Sequence, residues 1–190
     1  MTDYKTIRGK KIKSFATDLG NEQAEGQIFY SNTDNQFKTA VASSAWSSSG
    51  PLLTGRRGFW GTGTQTAGLA FGGKDGPGAG TAVTNATEEY NGNGWSAGGN
   101  LGTARYVLGG ATNAPQTASL GFGGYGPLTN STEEYDGSSW TAGGNLNTAR
   151  GFLAGAGTQT SALGFGGYTS GDVNNSEEYN GTSWTEGNDL

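Results

Sequence analysis

Apolar positions in this chain come in short bursts set off by glycine, and the bursts recur. LAFGG (69–73), LGFGG (120–124) and LGFGG (163–167) are each followed by TEEY, TEEY or SEEY, ending at Tyr90, Tyr135 and Tyr179. Each unit then closes on NGNGW, DGSSW or NGTSW. Ahead of each burst stands a Gly-rich stretch with Gln-Thr: GTGTQT (61–66), GATNAPQT (110–117) and GAGTQT (155–160). Trp46, Trp95, Trp140 and Trp184 lie 49, 45 and 44 residues apart, and Arg56, Arg105 and Arg150 follow the first three by ten. A fixed period of this length marks a repeat architecture, whose units bury their apolar faces against one another.

Each unit carries four strand signals. They are the stretch after the Arg (YVLGGA or GFLAGAG), the segment ending at Phe-Gly-Gly, the run into Glu-Glu-Tyr, and the Trp segment. Between the third and fourth stand Asn91-Gly92, Asp136-Gly137 and Asn180-Gly181, dipeptides that tolerate the positive φ of a tight hairpin. Four short antiparallel strands per period predict an all-β fold of propeller blades. The blades run 51–98, 99–143 and 144–190. Residues 26–50 read as a divergent hairpin or partial, degenerate N-terminal blade with a polar turn at SNTDNQ. Residues 1–25 read as an extended arm preceding a propeller domain over 26–190.

Composition sharpens this picture. Leu, Ile, Val and Phe together make only 27 of 190 residues, while Gly supplies 37. The 21 aromatics are spread along the chain and the net charge is only −5, which argues against disorder. There is no Cys and no His. That removes thiolate chemistry, the usual zinc ligands and the commonest general base. No metal site and no cofactor are expected. No apolar run reaches membrane-spanning length and the N-terminus lacks a signal-peptide core, so membrane insertion is not expected.

Charge divides unevenly. Lys5, Arg8, Lys10, Lys11 and Lys13 face Asp3 alone in the first thirteen residues, a net of +4, leaving −9 for the rest. An acidic body repels phosphates, so no nucleic-acid partner is expected. The basic arm reads as a strap that docks on an acidic surface.

Adjacent carboxylates Glu88/Glu89, Glu133/Glu134 and Glu177/Glu178 suggest acid/base chemistry. Glycoside hydrolysis, however, needs two carboxyls facing each other across the substrate, and neighbours in a strand point to opposite faces. Their recurrence in every unit favours a scaffold role, with one Glu per pair meeting Arg56, Arg105 or Arg150 between blades. The Gly-Thr-Gln stretches lack the Lys and following helix of a phosphate loop. No catalytic residue is assigned and no enzyme activity is expected.

The combination of Arg, GFGG, EEYDG, Trp and GGNLNTAR resembles the kelch motif over residues 46–190. The resemblance implies Gly72/Gly73, Gly123/Gly124 and Gly166/Gly167 as its glycine pairs. Tyr90, Tyr135 and Tyr179 would be its tyrosines, packed on Trp95, Trp140 and Trp184; Glu89, Glu134 and Glu178 belong to the same repeated set. The front, KTIRGKKIKSFATDL followed by AEGQIFYSNTDNQFKTAV, is similar to structural proteins of tailed, notably marine cyanobacterial, bacteriophages. That implies a virion component, such as a tail fibre, tail appendage or capsid decoration, exposed on the particle exterior. The basic residues of the arm would attach it to other virion proteins, and copies would form a homo-oligomer. The alternative reading is a cytoplasmic kelch-type protein-interaction module.

Recognition belongs where the units differ, because loops vary and carry function on rigid scaffolds. The connections between Gly-Gly and Glu-Glu are unequal, and Lys74, Asp75, Tyr125 and Tyr168 are their candidate contacts for a host-surface glycan or receptor. Tyr125 and Tyr168 offer apolar faces and polar tips suited to stacking on sugar rings.

Overall fold

The computed structural model describes residues 48–76 and 82–190 in full and, before them, the backbone of five short strands. The chain divides into two compact units, Met1–Ser48 and Ser49–Leu190. In the first, β1 (Tyr4–Ile7) pairs antiparallel with β2 (Lys10–Ile12). β3 (Ser14–Phe15) runs parallel to β4 (Ile28–Ser31), which forms an antiparallel hairpin with β5 (Gln36–Thr39). The expected arm boundary near residue 25 and the side chains of Lys5, Arg8, Lys10, Lys11 and Lys13 lie outside the described residues, as does Trp46.

The second unit is all-β, and among its described residues no helix forms. Three antiparallel four-stranded sheets follow one another along the chain. β6 (Arg56–Arg57) opens the first repeat. The first sheet is β7 (Trp60–Thr64), β8 (Ala67–Phe71), β10 (Thr87–Tyr90) and β11 (Trp95–Ala97), while β9 (Lys74–Asp75) pairs with β6. The second sheet is β12 (Gly109–Gly110), β13 (Ser119–Phe122), β14 (Thr132–Tyr135) and β15 (Trp140–Ala142). The third is β16 (Ala154–Thr158), β17 (Ser161–Phe165), β18 (Ser176–Tyr179) and β19 (Trp184–Glu186). Register is the same in all three: Tyr90 faces Trp95, Tyr135 faces Trp140 and Tyr179 faces Trp184.

The turns explain why the strands stop where they do. Asp136 Oδ1 accepts from the backbone N–H of Ser138 and Ser139, both at 2.8 Å, and Asn91 and Asn180 do the same in their own units. These side chains mimic a backbone turn and fix the hairpin. At the end of the second strand, Gly123 has φ of 63°, and a Cβ there would lie 2.5 Å from the Arg150 carbonyl oxygen. Only glycine meets both demands.

With so few aliphatics, the core lies between sheets rather than beneath one. One buried cluster gathers Leu69, Phe71, Leu101, Leu108 and Tyr135, with Trp140 packed against it; the other gathers Leu120, Phe122, Leu146, Leu153, Tyr179 and Trp184. Trp140 tilts onto Phe71 at 4.6 Å and Trp184 meets Phe122 edge-on at 4.7 Å. Each indole N–H also donates to the preceding sheet, Trp140 to Thr87 Oγ1 and Trp184 to Thr132 Oγ1, both at 2.9 Å. Burying the ring while satisfying its N–H lets tryptophan supply large apolar area without a stranded donor.

Candidate functional site

Every repeated carboxylate of the described sheets has a definable structural place. The first glutamate of each pair takes the arginine of its own repeat: Arg56–Glu88 at 3.1 Å, Arg105–Glu133 at 2.9 Å and Arg150–Glu177 at 3.2 Å. The second carboxylate oxygen accepts a backbone N–H from the linker entering the repeat, from Leu53, Gly102 or Asn147 at 2.6–2.7 Å. These pairs close within one repeat rather than between two. Burial pushes the Arg56 and Arg105 guanidinium pKa values below their usual value, with the partner carboxylates pulling the other way. A carboxylate committed to a buried cation and a backbone donor is not free to shuttle protons for a substrate.

The second glutamate points to the other face of the strand, where the next sheet packs. Tyr135 donates its hydroxyl to Glu89, and Tyr179 donates to Glu134 Oε1 at 2.6 Å. Burial first, and then the glutamate hydrogen bond, push the Tyr135 and Tyr179 hydroxyl pKa values up to about 12. Glu178 stands at the same position in the third sheet and is exposed. Among the described residues, no three acidic side chains converge in a way that could hold a metal ion.

The unequal loops present a different chemistry. Lys74, Tyr125 and Tyr168 each follow the double glycine, and each bridges back to the residue after the repeat's arginine: Arg57, Tyr106 or Gly151. Equivalent positions thus bring Lys74 Nζ to 5.3 Å from the Tyr106 ring centre, within cation–π range. Tyr106 lies 6.2 Å from Tyr125, and Tyr125 lies 5.8 Å from Phe152. Gly151 leaves room for this row, since a Cβ there would stand 2.2 Å from the Tyr125 ring. Phe152 and Tyr168 then line an open depression of about 560 Å³, together with Gly167, Asp172 and Val173.

Three of the four residues expected from the loops belong to this row or its depression. The Tyr125 hydroxyl donates to the Thr169 carbonyl at 3.2 Å, and burial with the neighbouring phenols Tyr168 and Tyr106 pushes its pKa up. Phe152 is 63% exposed and Tyr168 39% exposed, so their ring faces are open to a ligand. Asp75 differs. It lies opposite Arg56 in the β6–β9 pair, and its Oδ1 is buried without a hydrogen-bond partner among the described residues. The loop's residues 77–81 lie outside the described residues.

Tyr106 and Phe152 complete the row, and the repeat pattern did not single them out. Their signal was available: they occupy the positions just after the repeated arginine, where the first unit has Arg57 and Gly58. Phe152 even adopts φ of 57°, as Gly58 does at 63° and Val107 at 47°. A bulky residue held in that region costs about 1–2 kcal/mol and marks a position whose side chain is placed at some expense. Backbone hydrogen bonds link these positions from repeat to repeat, from Val107 N–H to Gly58 C=O at 2.6 Å and from Phe152 N–H to Val107 C=O at 2.8 Å.

No protein-family model matches the chain, and no curated protein matches it.

Proposed function

We propose that this chain is a non-enzymatic virion structural protein of a tailed bacteriophage, a tail fibre, tail appendage or capsid decoration. Its basic N-terminal residues attach it to other virion proteins. Residues 49–190 form a kelch-like, propeller-type body displayed on the particle exterior. The particle assignment is supported by the resemblance of the front of the chain. The propeller assignment is supported by three sheets in one register that bury their aromatics against each other.

The observation that carries the display role is the division of labour among side chains. Five of the six repeated acids, all but the exposed Glu178, are taken up by arginine, linker and tyrosine partners, whereas Tyr106, Tyr125, Phe152 and Tyr168 gather on one loop surface. Aromatic planes with adjacent polar tips suit the ring faces and hydroxyls of a host-surface glycan or glycosylated receptor. Mass spectrometry of purified virions tests the particle assignment: the protein is expected among the components, and its absence overturns that assignment. A glycan array or host-cell binding assay tests recognition, with Tyr125→Ala and Tyr168→Ala expected to abolish the signal.

A further inference from the structure

Residues 49–190 carry eleven acids and only five cations, Arg56, Arg57, Lys74, Arg105 and Arg150. Three of the five are taken up inside the scaffold, where Arg56, Arg105 and Arg150 pair with Glu88, Glu133 and Glu177. The remaining two stand together, for Arg57 and Lys74 are directly opposed in the β6–β9 pair. Among the described residues neither meets a carboxylate. Asp75, next to Lys74 in the chain, belongs to the alternate face of the strand, opposite Arg56.

This pair sits at a place where the repeats differ. Its counterparts are Tyr106 opposite Tyr125 in the second repeat and Gly151 opposite Tyr168 in the third. The cations of the first repeat adjoin the phenols of the second: Lys74 Nζ lies 5.3 Å from the Tyr106 ring centre, and Tyr106 lies 6.2 Å from Tyr125. Arg57 is exposed, and one of the five N–H donors of its guanidinium goes to the Gly76 carbonyl. Lys74, Tyr106 and Tyr125 are half-buried, so neighbours fix their side chains while part of each stays open to solvent.

We propose that this loop surface takes an acidic glycan, a sugar chain bearing carboxylate or phosphate groups. Arg57 and Lys74 hold the anionic group, and the neighbouring sugar ring lies against Tyr125. The planar fork of Arg57 suits two oxygens of one carboxylate or phosphate, and Lys74 adds a point charge beside it. An acidic body repels anions elsewhere, so its paired exposed cations define where an anion is drawn in. A neutral sugar gains nothing from that pair, which makes charge the basis of selection. The inference rests on reading the loop surface as a recognition site, and all four residues belong to the first and second repeats.

The test is an array of neutral, carboxylated and phosphorylated glycans, with single-stranded DNA as a polyanion without the glycan, probed with the full chain. The wild type is expected on the acidic glycans. The double variant Arg57→Gln/Lys74→Gln should lose that signal by about tenfold or more, with an unchanged melting temperature. Lys74→Arg, which keeps the charge and the contact with the Tyr106 ring, should retain it. Raising salt from about 0.1 M to about 1 M shortens the Debye length from about 10 Å to about 3 Å and should weaken the acidic-glycan signal. Neutral glycans bound as well as acidic ones, or undiminished acidic binding by the double variant, overturn the selection by charge and leave glycan recognition standing. DNA bound as strongly as the acidic glycans overturns it as well, by reducing the pair to general charge attraction. A double variant that melts lower as it loses its signal places the pair in the scaffold and also overturns it. No signal on any glycan overturns this proposal and the recognition reading together.

Discussion

Arg105 and Tyr125 stand twenty residues apart in one repeat and follow opposite rules. The Arg105 position holds arginine in all three repeats, its side chain is fully buried, and it bonds to Glu133 and to the Ser131 carbonyl at 2.7 Å. The Tyr125 position holds Lys74, Tyr125 or Tyr168, and its neighbours are aromatics of its own repeat and of the next one. The difference teaches that repetition in this chain marks the scaffold, because each sheet needs the same anchor. Variation at a fixed backbone position marks a surface free to be fitted to something else.

The largest expected effect comes from breaking the anchor. Arg105→Met leaves Glu133 charged and buried, and removing one partner of a buried pair costs about 3–5 kcal/mol. Thermal unfolding should shift down by roughly 10 °C, at about 2–4 °C per kcal/mol for a body this size. Tyr168→Ala, on the other side of the comparison, should stay within about 0.5 kcal/mol of wild type. A fall as large as that of Arg105→Met would make Tyr168 part of the scaffold.

A second comparison separates inner from outer junction glycines. Gly123→Ala suffers both the left-handed backbone and a collision with the Arg150 carbonyl, whereas Gly166→Ala, at φ of 62°, suffers only the first. Denaturant melts should show a loss of about 1 kcal/mol for Gly166→Ala, from backbone strain alone, and clearly more for Gly123→Ala. Equal losses would mean that the close approach between repeats carries no weight.

Tyrosine titration reads the junction directly. Tyr135 and Tyr179 should ionise near pH 12 in an ultraviolet titration. Because their folded pKa values are raised, the stability they contribute is complete below the unfolded value of about 10 and is lost as pH rises through about 12. Glu89→Gln should bring Tyr135 part of the way down and leave Tyr179 unmoved. An unchanged Tyr135 would remove Glu89 from the junction.

The smallest effect belongs to the turn. The backbone donors Ser139 and Ser138 lower the Asp136 pKa, so its contribution is present above about pH 3.9, the unfolded value, and fades as pH falls through the lower folded one. Asp136→Asn, matching Asn91 and Asn180, should keep the turn and erase that acid dependence in a pH series of melts. A persistent dependence would assign it to other acids.

Much of the fold was legible because each signal was written three times. The Asx-Gly turns, the double glycines and the Tyr–Trp pairing fall where the repeat placed them. Which glutamate meets arginine was not legible, since adjacent identical residues differ only in the strand face they occupy, and that depends on register. The partners of Glu89 and Glu134 were hidden for a related reason: the tyrosine that reaches each one lies 45 or 46 residues further along the chain, in the next repeat. Of the loop surface, Lys74, Tyr125 and Tyr168 could be read from their position after Gly-Gly. Phe152 could have been read from its place two residues after the repeated arginine, whereas its positive φ contradicts what sequence alone predicts for a bulky residue. Asp75 looked like a loop contact, and its place opposite Arg56 emerges only from the β6–β9 pairing.

The claim that scaffold and recognition surface are separate is tested most directly by measuring melting and host-cell binding on the same samples of Tyr168→Ala, Tyr125→Ala and Glu89→Gln. The account predicts that both tyrosine variants melt with the wild type and no longer bind, while Glu89→Gln binds normally. Full binding by the double variant Tyr125→Ala/Tyr168→Ala, with an unchanged melting temperature, would contradict it.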